Sequence, residues 1–74
     1  MQTVTVTVKY ITSCKEEDFF VHSSHAKQTK AYLEQKWRDR FEMDGRDLSL
    51  ETENGISISI DLHTVCRFTT RVSG

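Results

Sequence analysis

His25-Ala26-Lys27-Gln28-Thr29-Lys30-Ala31-Tyr32-Leu33-Glu34-Gln35-Lys36-Trp37-Arg38-Asp39-Arg40-Phe41-Glu42-Met43 is the stretch on which the fold turns. Ala26, Lys30, Leu33, Trp37 and Phe41 recur at steps of four, three, four and four, which places them on one stripe of an α-helix. Leu33, Trp37 and Phe41 are therefore expected to face a core. Ser23 or Ser24 is the expected N-cap. Val21 or Phe20 would be a hydrophobic staple on the first turn. Lys30–Glu34, Glu34–Arg38 and Arg38–Glu42 are opposite charges four residues apart, each worth a few tenths of a kcal/mol. Asp44-Gly45 ends the pattern, with Gly45 free to take the left-handed position after the helix.

Outward from the helix the period changes from 3.6 to two. In Gln2–Thr12, Val4, Val6, Val8 and Tyr10 point one way, and Thr3, Thr5, Thr7 and Lys9 the other. That is a strand with one buried face. Thr3–Val8 carries no charge and has strong β propensity, so it would invite aggregation as a free edge. It is expected inside a sheet or paired across an interface. Ser13–Asp18 reads as a polar loop, and Phe19-Phe20-Val21 as either a short second strand or an ordered lead into the helix.

After the helix, Asp47–Glu51 is a short strand with Leu48 and Leu50 inward. Asn54-Gly55 marks a tight hairpin turn. In Ile56–Ile60 the isoleucines face the helix and the serines face water. Leu62 and Val65 are three apart, which predicts a one-turn corner with both packed inward. A last strand follows, with Cys66, Phe68, Thr70 and Val72 on one face and Arg67, Thr69 and Arg71 on the other. Ser73-Gly74 is expected to fray. The expected fold is α+β, a single domain over residues 1–74: a two-layer sandwich of one helix on a mixed or antiparallel sheet, in the order β-α-β-β-β with an optional extra strand before the helix. If the first strand and the one after the helix are parallel neighbours, their crossover should be right-handed.

Composition narrows the function. Ten basic and eleven acidic residues leave a net charge of −1, which removes a global field for nucleic acid. The N-terminus has no basic-then-apolar leader and no apolar run reaches membrane-span length, so a cytoplasmic protein with free thiols at Cys14 and Cys66 is expected. At 74 residues the core is small, and a homo-oligomer or partner complex would add buried surface.

Chemistry-bearing groups are sparse. His22, His25, His63 and Cys66 form two pairs three apart, a minimal zinc pattern, but structural zinc sites are usually richer in cysteine. Cys66 is assigned to a buried face and Cys14 lies beside acids, so neither is an activated nucleophile. A metal-free ribonuclease would need His25 or His63 as base with Lys9, Arg67 or Arg71 on the phosphate. Nothing in the sequence ties those groups together. The three glycines sit at turns or the end, so no phosphate-binding loop exists. No catalytic residue, metal or cofactor is assigned.

Two binding readings remain. One is a non-catalytic protein-interaction module, an accessory, regulatory or inhibitor protein of the kind that acts on larger bacterial or phage machines. Its expected contacts are Tyr32 on the wet helix face, Phe19 beside Glu16, Glu17 and Asp18, and then Asp39. The other is a nucleic-acid binder using Lys9, Arg67 and Arg71 on the open sheet face. That face lacks aromatic pairs on which bases would stack.

Overall fold

The computed structural model describes residues 1–42 and 45–73. Their elements are β1 (Gln2–Tyr10), β2 (Glu16–Ser23), α1 (Ala26–Arg38), β3 (Asp47–Glu51), β4 (Ser57–Asp61), a 3₁₀ turn (Leu62–Thr64) and β5 (Val65–Ser73). The architecture is α+β, one helix on antiparallel strands. The strands divide into two sheets, one ordered β2-β1-β5 and a β3-β4 hairpin. β1 is the middle strand, where its uncharged Thr3–Val8 run is paired on both sides. Both of its neighbours are antiparallel, so no parallel crossover is needed.

The Phe19–Val21 segment belongs to a full strand. β2 takes in Glu16–Asp18, which the sequence assigned to a loop, because each of them faces a β1 residue: Lys9↔Glu16, Val8↔Glu17 and Thr7↔Asp18. The turn is confined to residues 11–15 and closes with Tyr10 N–H donating to the Lys15 carbonyl (2.9 Å). Cys14 takes a positive φ of 57° there.

The core lies between the β2-β1-β5 sheet and a layer made of α1 and the hairpin. Val4, Val6 and Val8 are fully buried, against Ala26 and Leu33 of α1, Leu48, Leu50 and Ile60 of the hairpin, and Leu62, Val65 and Phe68. The corner therefore forms as expected, with Leu62 and Val65 inward.

Five details depart from the sequence reading. First, α1 ends at Arg38, so Phe41 lies beyond it and is 74% exposed, resting against His63 (ring centroids 4.9 Å apart). Met43 and Asp44, placed at the helix end by the sequence, lie outside the described residues. Second, the N-cap is His25, with no side-chain cap bond. Ser23 instead accepts the His25 N–H through Oγ (3.0 Å) and bonds Thr29 Oγ1 (2.8 Å).

Third, Gly45 is not left-handed. A Cβ there would stand 2.1 Å from the Asp39 carbonyl oxygen, so glycine permits close approach of backbone to the helix end. Fourth, the hairpin turns at Asn54-Gly55 as expected, but its loop also takes in Ile56. Thr52 N–H donates to Ile56 O, Gly55 N–H donates to Thr52 O, and Gly55 has φ 75°. That is a turn closed from Thr52 to Gly55 and ending on a left-handed glycine, with Glu53, Asn54 and Gly55 spanned by the Thr52–Ile56 bond. Ile56 is thereby left outside β4 and 58% exposed, while Ile58 and Ile60 pack inward.

Fifth, Cys66 is exposed. The pairing of β1 with β5 jumps from Lys9↔Arg67 to Tyr10↔Val65, a bulge that inserts Cys66 as the unpaired residue. Inward alternation resumes at Phe68, and Ser73 is held in the strand opposite Thr3.

Polar groups fasten the layers. Glu34 on α1 takes Lys30 Nζ and the Thr70 hydroxyl of β5 (2.8 Å), linking helix to sheet. Arg46 grips Asp61 with two donors, Nε at 3.0 Å and an Nη at 2.8 Å, and Asp61 also accepts the His63 N–H. The Arg46 hydrogen bonds hold the Asp61 carboxyl below its usual range, and the Lys30 hydrogen bond does the same for Glu34. Both groups favour the ionised folded state. Their contribution is complete above the unfolded carboxylate range and fades as pH falls through the lower folded values. Urea midpoints should therefore drop below about pH 4. Asp61→Asn should be less stable at neutral pH and decline less steeply on acidification; parallel declines would remove Asp61 from the acid response.

Candidate functional site

The β3-β4 hairpin leans its tip on the outer edge of β2. Glu53 N–H donates to the Phe20 carbonyl (2.8 Å), and the Glu53 carboxylate meets His22 Nε2 at 3.1 Å. Two depressions share this tip as a wall. The larger, about 520 Å³, runs between α1 and the hairpin and includes Thr29, Tyr32, Leu33, Leu50, Glu51 and Glu53 in its lining. The smaller, about 250 Å³, lies on the other side of the tip, with Asp18, Phe20, Glu53, Ile56 and Ile58. Tyr32, Phe20 and Ile56 are respectively 59%, 41% and 58% exposed, so apolar surface is presented at both. Asp18, Glu51 and Glu53 rim it with carboxylates.

The sequence-derived contacts separate. Tyr32 is exposed as expected, and its helix flank faces the hairpin groove. The acidic run splits by strand parity. Glu16 and Asp18 lie on the outer sheet face, with Asp18 accepting the Thr7 hydroxyl (2.7 Å), while Glu17 sits on the opposite side, where its charge adds to burial in raising the Tyr10 phenol above its ordinary value. Phe19 is partly buried against the core; Phe20 is the exposed ring. The signal was present in the sequence, since Phe19 shares parity with Val21 and so turns inward with it. Asp39 caps α1 and accepts Gln35 Nε2 (2.7 Å), away from both depressions. Ile56, His22 and Glu53 were missed because the hairpin tip reaches β2 through a contact distant in sequence.

Lys9, Arg67 and Arg71 do share the outer sheet face, with Lys9 directly opposite Arg67. The β2 third of that face carries Glu16 and Asp18. Thr5, between Phe20 and Arg71 in the register, is only 4% exposed, so the threonine face is partly covered.

The histidines are dispersed. His22 faces Glu53, His25 Nδ1 bonds Ser24 Oγ (3.0 Å), and His63 Nε2 bonds the Arg40 carbonyl oxygen (2.7 Å). Among the described residues no three His, Cys, Asp or Glu side chains gather as a ligand set. Among the described residues no helix is long and apolar enough to cross a membrane.

No family model matches the chain, and no curated protein or solved structure is significantly similar to it.

Proposed function

We propose that the chain is a non-catalytic protein-docking module, an accessory or inhibitor domain, whose partner binds across the hairpin tip. The observation that carries this reading is the exposure of Tyr32, Phe20 and Ile56 around two depressions rimmed by Asp18, Glu51 and Glu53. Exposed aromatic anchors beside a groove are the usual makings of an interface hot spot. The carboxylate rim favours a basic partner surface bearing apolar side chains. Tyr32→Ala and Glu51→Lys, each with an unchanged far-ultraviolet circular dichroism spectrum, should weaken partner capture about tenfold or more. Undiminished capture by both variants would refute the site.

A second reading is favoured by one observation: Lys9, Arg67 and Arg71 lie together on the outer face of β1 and β5. Nucleic acid held there would bind with an affinity that falls steeply with salt and with Arg67→Ala. Salt-independent or absent binding would eliminate it.

A further inference from the structure

The two edges of the three-stranded sheet are finished differently. Tyr10 turns its peptide groups toward β2, since its N–H reaches Lys15 and its carbonyl takes Cys14 N–H, and Ile11 N–H reaches Thr64 O on the β5 side. Antiparallel alternation then points Thr3, Thr5, Thr7 and Lys9 toward β5. Their register partners Ser73, Arg71, Thr69 and Arg67 point back, which leaves the N–H and C=O groups of Phe68, Thr70 and Val72 facing outward. The same alternation makes the Phe20 carbonyl outward on β2, and there Glu53 N–H covers it. Among the described residues no hydrogen bond covers the outer edge of β5.

Beside this open edge stand two unsatisfied cations. Arg67 and Arg71 are exposed on the outer face, four residues apart, and among the described residues neither makes an ion pair. Arg67 is opposite Lys9, so its nearest cross-strand neighbour repels it. On the inner face, Phe68 is buried beneath Trp37 and the Thr70 hydroxyl is bonded to Glu34, so half-buried Val72 is the apolar side chain the edge still presents there. We propose that β5 accepts an extended segment of a partner protein as an added strand, with acidic residues four apart opposite Arg67 and Arg71 and apolar residues between them toward the core side. Backbone pairing provides the affinity and the alternating side chains the selectivity. Pairing of two copies is disfavoured in the two registers adjacent to the Thr70-centred one: Phe68 against Thr70 of a second copy sets Arg67 against Arg71, and Thr70 against Val72 sets Arg71 against itself. Nucleic acid would use the arginines but leave the peptide groups of β5 open. This strand site deepens the docking reading and lies at the sheet edge opposite the hairpin tip.

The test uses the whole chain and an end-blocked peptide, acetyl-Ser-Glu-Val-Thr-Val-Glu-Ser-amide, followed by calorimetry and amide hydrogen exchange. Binding should saturate, and the Phe68, Thr70 and Val72 amides should slow in exchange. Arg67→Ala and Arg71→Ala should each weaken it about tenfold, as for a charged pair at a pairing edge, and a peptide with lysine in place of glutamate should not bind. Tyr32→Ala should leave the affinity unchanged, so loss of the hairpin-tip site and loss of this one are read separately. The proposal is overturned by no binding at millimolar peptide, or by binding that leaves those amides fast. It is equally overturned if they are already protected in a species of twice 8.6 kDa, or if an oligonucleotide binds in preference to the peptide.

Discussion

Leu33→Ala should remove about 2–5 kcal/mol of stability, the range for truncating a buried leucine where the site collapses incompletely. Leu33 is 1% exposed and is the one large side chain that α1 buries completely; its other fully buried residue is Ala26. It belongs to the one buried cluster that joins the sheet valines to the hairpin leucines, so a gap there weakens both layers. A domain of 74 residues has roughly 4–11 kcal/mol in total. The variant should therefore be marginally folded or unfolded. Urea denaturation followed by Trp37 fluorescence measures the loss directly, and a change below about 1 kcal/mol would mean that the helix is not seated through Leu33.

Trp37→Ala should cost less, about 2–3 kcal/mol, although Trp37 is the larger residue. Its ring is only part-buried. One face stacks on Phe68, with centroids 5.4 Å apart and planes 13° off parallel, and the Arg40 guanidinium lies 3.7 Å from the ring centroid. Truncation loses the stack and the cation contact, each worth about a kcal/mol, together with part of the burial. Arg40 also donates to the Trp37 carbonyl (2.7 Å), a bond that survives in the variant. Trp37→Phe should recover most of the loss, keeping a ring over Phe68. Circular dichroism during urea unfolding provides the comparison; equal losses for alanine and phenylalanine would show that stacking contributes nothing.

The contrast between these two residues shows where sequence periodicity carries information. The 3.6 and 2.0 periods placed Leu33, Val4, Val6, Val8, Leu48, Leu50 and Ile60 correctly, because each sits inside a regular element whose geometry repeats. Phe41, Ile56 and Cys66 were assigned inward by the same arithmetic and are exposed. Each lies where the repeat stops: beyond the helix end, in the hairpin loop, and at a bulge. Whether a period continues across such a point is decided by tertiary fit. The hairpin turn shows the same limit, since Asn54-Gly55 announced a turn but not its length.

The candidate site was legible only in part. Tyr32 followed from helical angle alone. Phe20 was available from strand parity once residues 19–21 are known to pair with β1. The partnership of Glu53 with His22 and the Phe20 carbonyl depends on how the hairpin packs against β2, and no local pattern encodes that. Arg46 and Asp61, fifteen residues apart, are likewise joined only by the fold.

Docking across the hairpin tip is decided by tagged capture from cell lysate, in nuclease-treated and untreated halves, with wild-type chain beside Tyr32→Ala and Phe20→Ser. A partner docked there should persist after nuclease and be depleted about tenfold by the hairpin-tip variants. Capture unaffected by either variant, or capture that disappears with nuclease and depends on Arg67, would contradict it.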